Sequence, residues 1–226
     1  MQKYISVLRN CALFDGIADE NILKMLTCMS GQILSVPKGG FVLSEGNRAE
    51  PVGILLSGTV HIITEDYWGM RTILAAVLPG ELFGESYACA KSERIAVSVE
   101  AASAAEVLLL DYKKLITVCS GACVFHSRAI ENMLYVIAQK NVILTEKMMH
   151  ITRRTTREKV LSYLSAQAKR TGADEFAIPF NRQELADFLA VDRSALSAEL
   201  SRLKKEGLLE YRKNRFKLTG GAAGLQ

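Results

Sequence analysis

The chain is poor in several residue types, and each scarcity removes a class of protein. Its 226 residues include one Trp, three His and four Pro. It has no run of about 18 uncharged apolar residues, so no segment is suited to cross a membrane as a helix. The N-terminus, Met1-Gln2-Lys3-Tyr4-Ile5, lacks a long apolar core and a small-residue cleavage site. That argues against a signal peptide and for a cytoplasmic protein. Five cysteines is an odd number without framework spacing, so reduced thiols are expected rather than a disulfide scaffold. No P-loop, HExxH sequence or nucleophile elbow occurs. A metalloenzyme on a β scaffold needs several histidines on adjacent strands, and only His61 lies in the β-prone region. Neither catalytic residues nor a metal site is assigned, and an enzyme is not expected.

What is present is an ordinary globular composition, 49% apolar and 23% charged, which excludes a disordered chain. The net charge of +4 is unevenly spread. Residues 1–152 carry 13 basic and 15 acidic side chains, and residues 153–226 carry 15 and 9. A small basic C-terminal segment on a mildly acidic body points to a polyanion partner.

Three regions follow one another. The first 30 residues predict helix, with Ile17, Ile22, Leu23, Met25 and Leu26 on an apolar face and Asp19 and Glu20 near its start. From Gly31 to about Asp111, short β-prone runs alternate with glycines and charged turns. The runs are Gly40–Leu43, Gly53–Leu56, Thr59–Thr64, Thr72–Leu78, Ile95–Val99 and Glu106–Leu110. Such spacing predicts a sandwich, jelly roll or barrel, folds that enclose small-molecule sites.

The second region predicts one long helix over about 122–151, without Pro. Ile130, Leu134, Ile137, Asn141, Leu144, Met148 and Ile151 recur at alternating steps of four and three. That heptad seam suits a partner helix, and a buried Asn141 at an a-type position would fix register in a two-stranded parallel coil. The alternative is that the stripe packs on its own β region and Asn141 is hydrated.

The third region, about 153–220, is compact and helical. An amphipathic helix over Thr156–Lys169 precedes a short β-run, Phe176–Phe180. Asn181 and Glu184 form a capping box that opens the next helix. Asp192 caps another, which runs from Arg193 to Glu206 and stops at Gly207. Two helices joined by Ala190-Val191-Asp192 read as helix-turn-helix. Leu208–Leu218 then alternates around Lys213-Asn214, predicting a two-stranded wing with Arg212, Lys213, Arg215 and Lys217 exposed. On the second helix, Leu196, Leu200 and Leu203 fall on one face. Ser194, Ala198, Ser201 and Lys205 fall opposite, flanked by Ser197 and Arg202. A face of small and basic residues can enter the major groove, about 12 Å wide. Arg193 would pair with a guanine, with Ser194 and Ser197 at base edges, while Arg202, Lys205, Arg182 and the wing would meet phosphates. For Arg202 and Lys205 a solvated helix C-terminus, favoured by the dipole, is an equal alternative.

The order of β-roll, long helix and winged helix-turn-helix resembles the CRP/FNR family of bacterial transcription regulators. The resemblance covers nearly the whole chain, and its most specific parts are Pro79-Gly-Glu-Leu-Phe-Gly-Glu85 and the segment from Asn181 to Ser194. It implies an α+β chain: a jelly roll with N-terminal helices over 1–112, a dimerisation helix over 113–152 and a DNA-binding domain over 153–226. It also implies a homodimer on a palindromic duplex with half-sites about one helical turn apart. RNA polymerase would be a further partner if the protein activates.

In the family's cyclic-nucleotide binders the segment after the Gly-Glu pair cradles the effector. That places Gly84, Glu85 and Ser86 at the site, with Glu85 on a ribose hydroxyl. The family's phosphate-binding Arg aligns without gaps to Ile95, and Arg94 stands one residue early. On a strand that shift turns the side chain to the other face, so Arg94 serves only if a bulge or shorter loop re-aims it. The purine-facing positions of the long helix fall on Leu144 and Thr145, and only Thr145 keeps a hydroxyl. The expected effector is therefore a small molecule other than cyclic AMP, of unknown identity. Ser194 and Ala198 stand where the family's best-known DNA code has a Glu and an Arg, so its consensus site does not carry over.

Two further readings remain open at this point. Cys119 and Cys123, four apart and joined by Cys28 or His126, could make the scaffold a redox or metal sensor. The family's iron–sulfur sensors cluster three cysteines near the N-terminus, where this chain has only Cys11 and Cys28, so inert buried thiols are favoured. The other reading is a cyclic-nucleotide-binding interaction module whose basic domain binds no specific DNA.

Overall fold

A computed structural model describes residues 1–48, 51–116 and 124–219. The chain divides into two compact units. The first comprises residues 1–68 and 74–141, and the second residues 69–73 and 142–226. Among the described residues no helix is long and apolar enough to cross a membrane.

The first unit opens with short helices, not one. A 3-10 turn, Gln2–Tyr4, leads into α1 (Ile5–Arg9); a second turn, Ala12–Phe14, precedes α2 (Asp19–Cys28). Asp19 and Glu20 occupy the first turn of α2, and Arg9 pairs with Asp19, holding its carboxyl below the usual range. Eight strands follow: β1 (Gln32–Val36), β2 (Phe41–Leu43), β3 (Pro51–Ser57), β4 (Val60–Glu65), β5 (Arg71–Val77), β6 (Leu82–Phe83), β7 (Ser98–Ala101) and β8 (Ala105–Asp111). They form two four-stranded sheets, ordered β1-β8-β3-β6 and β2-β7-β4-β5. This is a jelly-roll arrangement of antiparallel strands.

Period-two alternation explains how β3 and β8 serve two cores at once. Val52, Ile54 and Leu56 of β3, with Leu108 and Leu110 of β8, pack on the N-terminal helices. Leu55, Ala105 and Val107 face the other way, into the roll interior with Leu43, Val60, Val77 and Val99. Gly53 carries no side chain because the Phe83 ring lies on it. A Cβ there would sit 2.1 Å from the ring.

Two strands were not expected from the sequence, and one expected run needs correction. β1 and β6 carried no legible signal: β1 is an edge strand with four of its five residues exposed, and β6 has only two residues. The run expected over Ile95–Val99 is a strand only from Ser98. Ile95 gives its backbone N–H to Asn47 O and accepts from Gly46 N, so the turn at 46–47 takes the hydrogen bonds that a ladder would use. Between β6 and β7 lies α3 (Glu85–Cys89), and α4 (Tyr112–Ile116) follows β8.

The long helix is α5 (Val124–Ile151), 28 residues. In the first unit it buries His126, Ala129, Asn132, Met133 and Val136. Asn132 donates to the carbonyls of Leu13 and Asp15 at 3.0 and 2.9 Å.

The second unit holds the end of α5, then α6 (Thr156–Thr171), β9 (Glu175–Ala177), α7 (Arg182–Leu189), α8 (Arg193–Lys205), β10 (Leu209–Arg212) and β11 (Arg215–Leu218). The expected two-stranded wing has three strands, ordered β10-β11-β9. The third is recruited because Phe176 of β9 stacks on Phe216 of β11, 6.5 Å between centroids. Leu164, Leu185, Leu189, Leu200 and Leu209 fill the interior of this unit. Each contributes about 2 kcal/mol of apolar burial.

Candidate nucleic-acid interface and effector site

The helix-turn-helix is set by its caps. Asn181 accepts from Glu184 N at 3.0 Å, and the Glu184 carboxylate accepts from Asn181 N at 2.7 Å, so the capping box is closed. Ala190 takes the left-handed conformation, φ 50°, and ends α7. Asp192 then caps α8, accepting from Ser194 N at 2.8 Å and from Ser194 Oγ at 2.6 Å. These bonds pull the Asp192 pKa down, the hydroxyl most of all.

Leu196, Leu200 and Leu203 of α8 are fully buried. Arg193, Ser194, Ala198, Ser201, Arg202 and Lys205 are exposed and Ser197 is half-buried. Ser201 donates back to Ser197 O at 2.9 Å, so part of its hydrogen-bonding capacity is used within the helix. Arg202 is not a lone cation: its guanidinium meets Glu199 at 2.8 Å. Arg182 lies half-buried over Tyr211, 4.8 Å from the centroid, and burial lowers its pKa. It packs α7 onto the wing. Arg212, Lys213, Arg215 and Lys217 of the wing are exposed.

Two groups here had no signal in the sequence. Glu199 is buried between Arg157 at 3.2 Å and Arg202, and Arg157 also grips Glu206 at 2.6 Å. The Glu206 partner, followed by Glu199, raises the Arg157 pKa. Lys159 donates to Ala190 O at 3.1 Å, tying α6 to the turn. The contacts of Arg157 and Lys159 span 31 to 49 residues of sequence, so no local pattern announces them.

In the first unit, Gly84 caps α3 with φ +80°, and a Cβ would lie 2.9 Å from Pro51 O. Glycine is required there on both counts. Glu85 is 2% exposed. Its Oε1 meets Lys140 Nζ of α5 at 2.9 Å and accepts from Ser86 Oγ at 3.0 Å. Lys140 also donates to Leu82 O at 2.5 Å. Glu85 Oε2 is buried and has no hydrogen-bond partner among the described residues. Arg94 is exposed and donates to Gly46 O at 2.7 Å, while Ile95 is buried among the apolar residues of the roll. Leu144 and Thr145 are exposed on α5 in the second unit. Glu85 belongs to the first unit.

The seam residues Ile130, Leu134, Leu144 and Met148 are exposed, Leu134 to 71%. Asn141 is exposed as well. Ile137 departs from the pattern, half-buried against the core of the first unit. In that unit α5 turns a different stripe, Ala129, Met133 and Val136, fully inward. Cys119 and Cys123 lie outside the described residues. Cys11 is buried, which pushes its thiol up to about 11, and Cys89 is half-buried. Cys28 is exposed, which corrects the expectation of uniformly buried thiols. Among the described residues no group of three or more His, Cys, Asp or Glu is placed to hold a metal.

The cyclic nucleotide-binding domain family matches residues 33–122, and the Crp-like helix-turn-helix family matches residues 158–220. The chain is 27% identical over 184 residues to the nitrogen fixation regulation protein FixK of Azorhizobium caulinodans, covering 77% of this chain and 69% of that one. It is 23% identical over 195 residues to the transcriptional activator FnrL of Cereibacter sphaeroides, covering 77% and 71%. The c-di-GMP-responsive regulator CLP of Xanthomonas campestris shares its fold, with a TM-score of 0.73 at 20% identity over 90% of this chain and all of that one. These relatives are transcription regulators rather than enzymes. A roll matched by one domain family, a winged helix matched by the other and relatives spanning both place the chain in the CRP/FNR family of transcription regulators.

Proposed function

We propose that the chain works as a homodimer that reads a palindromic duplex through α8, under control of a small molecule in the roll. The observation that carries this is the division of α8. Its leucines are buried, and its opposite face presents Arg193, Ser194, Ala198, Ser201 and Lys205 to the surface. Arg193 would read a base, Ser194 and Ser197 would sit at base edges, and Lys205 with the wing cations would meet phosphates. Arg202 serves as a phosphate contact only in company with Glu199, whose carboxylate offsets its charge. Arg182 contributes through the packing of the wing.

The exposed seam of α5 supports the dimer, with Asn141 at the register position. The organisation proposed is a sensing roll over 1–112, a dimer helix over 113–152 and a DNA-binding domain over 153–226. An activator would add RNA polymerase as a partner. For the effector, Arg94 on Gly46 O and the inward Ile95 leave a phosphate without its counter-charge in the roll, which is costly. That supports an effector other than cyclic AMP. Selection of bound duplexes from a random pool tests the reading. Recovery of a two-fold symmetric site is expected, and recovery of no common site overturns it in favour of an interaction module that binds no specific DNA.

A further inference from the structure

Two arginines and two glutamates of the second unit form one cluster of zero net charge, built between α6 and α8. Glu199 stands three residues after Leu196 and four before Leu203, so it lies on the leucine side of α8, and it is 7% exposed. Its two oxygens are divided. Oε1 accepts from Arg157 of α6 at 3.2 Å, and Oε2 accepts from Arg202 of α8 at 2.8 Å. Arg157 also holds Glu206 with both terminal nitrogens, at 3.1 and 2.6 Å. It occupies the first turn of α6, where the helix dipole disfavours a cation, so its partners on α8 account for its place. Two residues on, Lys159 donates to Ala190 O of the turn. The start of α6 therefore grips α8 at two points and the turn before it at a third.

A neutral cluster adds nothing to the sequence-independent attraction of a duplex, which counts cations at phosphates. What it supplies is direction. Arg202 is the member most open to solvent, its side chain 65% exposed. Glu199 engages one of its nitrogens and leaves guanidinium donors for a second anion. A guanidinium already fixed by a carboxylate loses less rotamer freedom when it meets a phosphate. We infer that Glu199 and Arg157 are positioning residues for DNA reading: Glu199 aims Arg202 at a phosphate beside α8, and Arg157 fixes Glu199 and the rotation of α8 on α6. The inference rests on the regulator reading above and deepens it by naming what sets the register of α8 on the duplex. Phosphate contacts hold a reading helix in register, and they serve specificity in that way without carrying sequence information. Net charge alone gives the opposite expectation, since removing an acid from a DNA-binding domain raises its attraction for any duplex.

The test uses the full chain, an operator recovered by duplex selection and an unselected duplex of equal length. Fluorescence anisotropy over a salt series gives affinity and salt slope for wild type, Glu199→Gln, Arg202→Ala, the double variant and Arg157→Lys. Thermal unfolding is recorded for each. Glu199→Gln should weaken operator binding by about tenfold per half-site. It should also lower the salt slope by about one per half-site, as Arg202→Ala does, although Arg202 is still present. Its affinity for the unselected duplex should not fall, and the double variant should lose no more than Arg202→Ala. Arg157→Lys keeps the charge without the fork that spans Glu199 and Glu206, so it should lose operator affinity in the same direction; it carries the test if Glu199→Gln does not fold. Operator binding strengthened by Glu199→Gln overturns the inference in favour of plain charge. Lost thermal stability with affinity and slope unmoved overturns it too, since a merely structural cluster gives that result, as do additive Glu199 and Arg202 effects. A wild-type chain that selects no duplex overturns the regulator reading itself, so the two failures are distinct.

Discussion

The Lys147 ammonium of α5 lies 4.3 Å from the centroid of the Phe188 ring of α7. It also donates to the Ile73 carbonyl, and the side chain is 8% exposed. Within the second unit this contact joins the long helix to the first helix of the helix-turn-helix. The ring face and the carbonyl attract the cation, yet burial outweighs them and pulls the pKa down to about 8.

A pH dependence follows. The folded chain gives up the Lys147 proton near pH 8, and the unfolded chain near 10.5. Between those values the unfolded state holds more protons, so this group adds stability as pH rises. Below pH 8 the cost of burying the ammonium is fully present. Thermal unfolding of wild type and Lys147→Met from pH 7 to 10 checks this: the wild type should gain on the variant across that window. A constant difference would show that burial does not set the lysine's titration.

Arg193→Ala should cost about 1–3 kcal/mol of specific binding per half-site and relax discrimination at one base position. Anisotropy against the selected operator and its single-base variants measures both. Uniform weakening with discrimination intact would move Arg193 from base reading to phosphate contact.

Leu134 is 71% exposed in the single chain, so Leu134→Asp should leave the monomer fold intact. In a paired seam it buries a charge, a penalty of about 3 kcal/mol that raises the dimer Kd by about a hundredfold. Sedimentation equilibrium reads the change, with circular dichroism as the control for folding. A dimer of unaltered Kd would place the interface elsewhere.

Gly84→Ala asks a β-carbon to accept φ +80° at 2.9 Å from Pro51 O. A loss of about 1–3 kcal/mol in urea unfolding is expected. A neutral change would mean that the β3–α3 approach can relax.

The helix-turn-helix was legible in the sequence down to its caps. Asn181, Glu184, Asp192 and Gly207 each satisfy or end a helix through bonds to residues two to four away, and the leucines of α8 repeat at the helical period. The roll was legible in outline, because its glycines and alternating runs act locally. The edge strand β1 and the two-residue β6 were not, since an exposed strand has no alternation and a pair of residues has no period. The inward stripe of α5 in the first unit was present in the sequence as a second series, Ala129, Met133 and Val136, beside the more regular heptad seam.

Local signals, then, determined on their own the long helix, the helices of the helix-turn-helix, the outward small-and-basic face and the apolar seam. Only the tertiary structure decided the partners of the buried charges: Glu85 with Lys140, Glu199 with Arg157, and Lys147 with Phe188. The physical reason is that a charge leaves water only where distant chain segments converge to pair it. That convergence belongs to packing, and a side chain's identity says nothing of it.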